Sequence, residues 1–414
     1  AFGRTALSAN TTGSSNVAMG YNSMAANTTG SQNVAIGRNA LDANTTASNN
    51  VAVGYLALST NITGTGNVAV GMQALENNTG NYNTAVGLQA LDTCTTGANN
   101  TSIGYYSSYS LTTGSKNTAL GQSALQGCTD GVNNVAIGYE AGTADWGDAN
   151  AAVGYRALKL NTADNNTAVG NEALISNTTG TINTALGRQA LYNNTTGADN
   201  TAVGYALVTN TTGDNLTAVG RGALNANTTG SHNTAIGKNA LDANTTGQYN
   251  VGLGVDALGA NTTADNNVAV GVFALDHNTT GANLTAIGHN ALTANTTASS
   301  NVAVGAAALL VNTTGTQNVA VGNAALDASN ADNNTAIGYN SLGANTTGSV
   351  NTAVGSECLI SNTTGSYNTA VGQNSLNANT TASNNCAFGQ SALAANTTGD
   401  LNVAIGVGAM DAAQ

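Results

Sequence analysis

Proline is absent from this chain of 414 residues, and arginine and lysine together number only 8. Phenylalanine occurs three times and tryptophan once, with four cysteines and four methionines beside them. Each shortage excludes something. Few bulky side chains means no ordinary globular core built from aromatics and methionine. Scattered cations leave nothing to neutralise a phosphate backbone, so nucleic acid is not a partner; an anionic membrane surface is disfavoured for the same reason. No apolar run approaches the roughly 18 residues of a spanning helix. Missing proline has a positive meaning, because a hydrogen-bonded ladder needs every backbone N–H.

What is present is a repeat. The stretch "NTTGSQNVAIGRNAL", Asn27 to Leu41, returns along the whole chain. The glycine closing each "AVG" or "AIG" phrase recurs from Gly3 to Gly406 in 24 intervals, 19 of seventeen residues and 5 of sixteen. Such a fixed period signals one supersecondary unit stacked on itself. The alternative, a disordered Asn/Gly/Thr tract, would not require apolar residues at fixed spacing. The expected fold is all-β, a parallel β-solenoid of about 24 coils occupying residues 1–414 as a single array. "AFGRTAL" opens in mid-repeat, which fits an excerpt of a longer fibre protein.

Columns of the repeat carry the expected packing. An apolar residue precedes the glycine: Ile36, Val53, Val70, Val86, Ile103 and Ile137. A second apolar pair contributes Leu41, Leu75 and Leu91. With period two in "NTAVG", Val and Thr share one face while Ala and Asn share the other. Both sets, Ile36 through Ile137 and the three leucines, are therefore expected inside, leaving small alanine outside to meet a neighbouring chain. Gly37, Gly54, Gly71 and Gly87 stand where the chain must turn with positive φ. Asparagine columns are expected to form amide ladders. Four of the five short intervals lose their residue at or beside "NTTG"; the fifth, "GYALV" at Gly204, shortens the other corner.

"NVAIGRNAL" (Asn33–Leu41) and "NTAVGLQAL" (Asn83–Leu91) resemble the YadA-like head repeats of trimeric autotransporter adhesins and the related tandem repeats of phage tail fibres. The resemblance spans essentially the whole chain. It implies a left-handed β-roll, a homotrimer or higher homo-oligomer, and surface attachment on a cell or virion. A host glycan or protein is the implied target.

No chemistry of catalysis or metal binding emerges. Cys94 and Cys128 lie two coils apart, about 10 Å, beyond bridging distance. Cys358 and Cys386 replace small apolar residues, and His232, His277 and His289 occupy different columns. No nucleophile, base and pocket combine, so no enzymatic activity and no cofactor are expected. "NTT" matches the glycosylation sequon many times. Two irregular stretches are the binding candidates: Tyr105, Tyr106 and Tyr109 in "GYYSSYSLTTG", and Trp146 in "GTADWGDAN". Exposed aromatics among polar groups suit carbohydrate or protein contact. The leading expectation is an adhesive or structural fibre shaft outside the cell or on a virion. Its rivals are an ice-binding solenoid using stacked Thr columns and a passive extracellular filament or coat. Against ice binding, adjacent residues of "TT" point to opposite sides.

Overall fold

A computed structural model describes residues 1–411. The chain divides into two compact units, residues 1–204 and 205–414. In the first, twelve three-residue strands run from β1 (Val17–Met19) to β12 (Thr201–Val203), each pairing in parallel with the next. In the second, twelve more run from β13 (Thr217–Val219) to β24 (Val403–Ile405) in the same way. Register is kept residue for residue, as where Val34, Ala35 and Ile36 face Val51, Ala52 and Val53. Each unit is thus a parallel β-solenoid with a seventeen-residue repeat, and among the described residues there is no helix.

Which face points inward corrects the expectation. The central alanine of every strand, or Ser102 or Gly252 in its place, is buried, while the flanking residues are half-buried or exposed. Ala35, Ala52 and Ala69 have no exposed surface. Ile36, Val53, Val70, Val86 and Ile137 are half-buried on the outward side, and Ile103 is 38% exposed. None of these six belongs to the inner core. The reason is steric: a coil this narrow admits alanine on one wall opposite leucine and asparagine, and β-branched side chains would overpack it.

Leu41, Leu75 and Leu91 are fully buried, and their segment is a turn. Leu41 adopts φ 53° and Asn39 φ 55°. A left-handed residue costs about 1–2 kcal/mol, whereas burying a leucine returns about 1.5–3 kcal/mol, so burial wins narrowly. Backbone bonds between coils continue through the turn, Leu41 N–H donating to Ala57 O at 3.0 Å. Gly37, Gly54, Gly71 and Gly87 have φ between 137° and 141°. A Cβ on Gly37 would lie 2.3 Å from the Gly54 carbonyl oxygen, so this corner admits only glycine.

Two buried asparagine columns complete the interior. Asn44 Nδ2 donates to Asn27 Oδ1 at 2.8 Å and to Ala47 O at 3.1 Å. In the other column the Asn50 backbone N–H donates to Asn33 Oδ1 at 2.9 Å. The second unit repeats both patterns, with Asn244 on Asn227 and Asn250 on Asn233, each at 2.9 Å. The buried amides of these columns thus find partners in their own coil and the next, as burial demands, with Asn312 Oδ1, Asn379 Oδ1 and Asn385 Nδ2 left unpartnered.

Candidate functional site

Three surface regions combine chemistry and exposure. The first is the residue after each corner glycine. In the first unit this position carries Tyr21, Arg38, Tyr55, Tyr105, Tyr139 and Tyr155, which project from the turn. The Arg38 guanidinium lies 5.9 Å from the Tyr21 ring centre and 5.8 Å from that of Tyr55, a cation–π sandwich across three coils. Tyr139 and Tyr155 stack at 5.5 Å. Beside them Glu140 receives Lys159 Nζ at 2.6 Å and Arg156 Nε at 2.9 Å. Lys159 above all, with Tyr139 and Arg156, pulls the Glu140 carboxyl down to about 2 against the cost of desolvation.

The second region holds the tyrosine candidates. Tyr105 is exposed, while Tyr106 and Tyr109 are half-buried. Tyr105 meets Tyr106 edge to face at 4.2 Å, and Tyr106 meets Tyr109 at 5.1 Å. The three are brought together as one aromatic cluster. Trp146 is not part of it and is not an exposed contact: only 1% of it is accessible. Its coil carries Gly142 where others carry the buried leucine, and the indole ring fills that vacancy. A Cβ on Gly142 would lie 2.1 Å from the ring, and Trp146 Nε1 donates to Leu158 O at 3.1 Å. Cys94, Leu111 and Cys128 are buried as well and interrupt the Asn27–Asn44–Asn61 column. All four cysteines are free thiols. Burial pushes Cys94, Cys128 and Cys358 up to about 12, which leaves them without nucleophilic thiolate at neutral pH.

The third region, a recess in the second unit, is lined by Tyr205, Arg221, Gly222, Asn225, Lys238, Asn239 and Asp242. Sequence reasoning passed over it, although the shortened "GYALV" corner marked the place.

The "NTT" corners are closed to glycans in the folded chain. Asn27, Asn44 and Asn61 have no exposed surface, and their amide nitrogens are committed as donors within the coil. The first Thr of many pairs turns its hydroxyl to the next coil, as Thr28 Oγ1 does to Thr45 O at 3.0 Å. The second, such as Thr29 or Thr46, faces solvent.

Among the described residues no helix is long and apolar enough to cross a membrane. Comparison with known proteins finds no family model that matches the chain and no curated protein that aligns with it.

Proposed function

We propose that the chain is a shaft segment of an attachment fibre on a cell or virion surface. It acts as a homotrimer or higher homo-oligomer and carries no catalytic chemistry of its own. The supporting observation is the outward ribbon of the strands. One column is Val or Thr, apart from Ala151 and Cys386, and the other Val, Ile or Leu, apart from Met19 and Phe388. Met19, Ile103, Leu120 and Leu186 in the first unit, and Ile236 and Ile287 in the second, are exposed large apolar side chains on this ribbon. An apolar strip along the outer face of a unit calls for a cover. A second copy in matching register supplies one, because like residues recur at each coil. In this reading Val and Ile, rather than alanine, meet the neighbouring chain. Reach comes from adding coils, and a host glycan or protein is the target at the surface.

Sedimentation equilibrium tests the assembly. Three times the 40.6 kDa chain mass is expected at micromolar concentration; a single-chain mass at every concentration refutes the oligomer.

One observation favours the ice-binding reading more than the "TT" corners do. Strands such as Thr84–Val86, Thr118–Leu120 and Thr234–Ile236 present Thr and an aliphatic residue outward from alternate positions. This is a regular two-column face, and it is the same face the oligomer would cover. The two readings therefore compete: thermal hysteresis together with a monomeric mass selects ice binding, and an oligomer without hysteresis selects the fibre.

A further inference from the structure

The recess in the second unit arises from two irregularities in successive coils. At the second position after the corner glycine, neighbouring coils carry a side chain, such as Asn239, Asp256 or Phe273. The "YALV" corner, Tyr205 to Val208, is one residue short, so Ala206 and Leu207 move up into the buried positions and that second position disappears. The following coil has Gly222 there, its N–H donating to Tyr205 O at 2.8 Å. Two coils running thus lack a side chain at the same point, leaving a recess of about 320 Å³. That is the lower end of the range for small-ligand sites.

Its lining is unlike the rest of the unit. Residues 205–414 contain ten aspartates and glutamates but only two permanent cations, Arg221 and Lys238, and both line this recess. Neither is held in an ion pair, since those among the described residues both belong to Glu140, and Asp242 is the one carboxylate against them in the lining. Tyr205, 41% exposed, offers a ring face beside them. Asn225, Asn239 and Asp242 add amide and carboxyl groups, and the buried Asn225 Oδ1 has no hydrogen-bond partner.

We infer that this recess binds an acidic sugar residue of the uronate class. Arg221 and Lys238 hold the carboxylate, Tyr205 stacks on the apolar face of the pyranose ring, and Asn225, Asn239 and Asp242 take its hydroxyls. Each group matches one part of such a ligand. Two cations against one carboxylate select an anion, an exposed tyrosine selects a partner with an apolar face, and polar groups of both kinds select hydroxyls. A free inorganic anion would use only the first. The inference deepens the attachment reading but is separable from it, since a monomeric chain that binds the sugar keeps the site while losing the fibre.

The test is calorimetric titration of the full chain with trigalacturonate, in parallel with neutral galactotriose and inorganic phosphate. Binding of trigalacturonate alone is expected, weakening as salt is added. Arg221→Gln, Lys238→Gln and Tyr205→Ala should each lower affinity by about tenfold or more. Arg38→Gln, in the other unit, should leave it unchanged. Gly222→Asn should abolish binding without altering the circular dichroism: Asn239 occupies the same position at φ 54° while Gly222 lies at 79°, and the added Cβ, 2.5 Å from Asn239 Oδ1, displaces only the end of a side chain. Equal binding of galactotriose, equal binding of phosphate with Tyr205→Ala silent, or no trigalacturonate binding at millimolar concentration would each overturn the assignment.

Discussion

Truncating Asn44 to alanine probes the amide ladder at a point where every bond is accounted for. Asn44 Nδ2 donates to Asn27 Oδ1 and to Ala47 O, and Asn44 Oδ1 faces Asn61 Nδ2 at 3.5 Å. After truncation Ala47 O still receives Asn33 Nδ2 at 2.9 Å, and Asn61 Nδ2 still donates to Gly64 O at 2.9 Å. The orphan is Asn27 Oδ1, which has no exposed surface nearby and loses its donor. An unpaired buried acceptor costs about 1–3 kcal/mol, and the small cavity adds to it, giving about 3 kcal/mol in all. Asn44→Leu restores volume, as Leu111 does naturally at this column, but leaves the orphan; its loss should be smaller and still above 1 kcal/mol. Thr46→Ala, exposed on the same corner, should cost less than about 0.5 kcal/mol. Urea unfolding measures all three, and hydrogen exchange locates the loss in the coils on either side. If Asn44→Ala falls within about 0.5 kcal/mol of Thr46→Ala, the ladder is not a source of stability and the reasoning fails.

Trp146→Ala should destabilise by about 3–5 kcal/mol, since the ring replaces a missing leucine; emission of the native indole should be blue-shifted, and a solvent-exposed spectrum would contradict its placement. Native chain should offer Ellman's reagent only Cys386, the one cysteine that is not fully buried, and all four thiols after denaturation; rapid reaction of Cys94 or Cys358 would refute their burial. Burial raises the carboxyls of Asp42, Asp92, Asp242, Asp276 and Asp327, with Glu76 and Asp256 adding repulsion at the first four. Above the ordinary carboxylate range the folded chain therefore binds more protons than the unfolded one, and stability is gained as pH falls from 7 toward about 4. Glu140 has the opposite sign: its contribution is present above 4.5 and is lost as pH falls toward about 2. The thermal midpoint should rise and then decline along that path, and Asp92→Asn should flatten the rise; a steady fall from pH 7 would contradict it.

The period, the glycine corners and the amide ladders are legible because each leaves a fixed column in the sequence. Handling of the faces is not. In "VAI" both sets are apolar, and a period of two separates Ala35 from Val34 and Ile36 without saying which side is inner. Only the width of the coil decides, and that depends on the turn holding Leu41 at φ 53°, a conformation propensity would not assign to leucine. Trp146 deceived for a related reason: its flanking aspartates read as surface, while the vacancy at Gly142 that draws it inward lies four residues away. The recess at Tyr205 needed two coils side by side, since neither the short corner nor Gly222 means much alone.

The assignment of inner and outer faces underlies the rest, and the unfolding free energy of Ala52→Val tests it most directly. Ala52 is fully buried between Ala35 and Ala69. Two added methyl groups there should overpack the coil and cost about 1–3 kcal/mol. Valine is the better strand former, so an unchanged or raised stability would mean that alanine faces outward and that Val53 lies within.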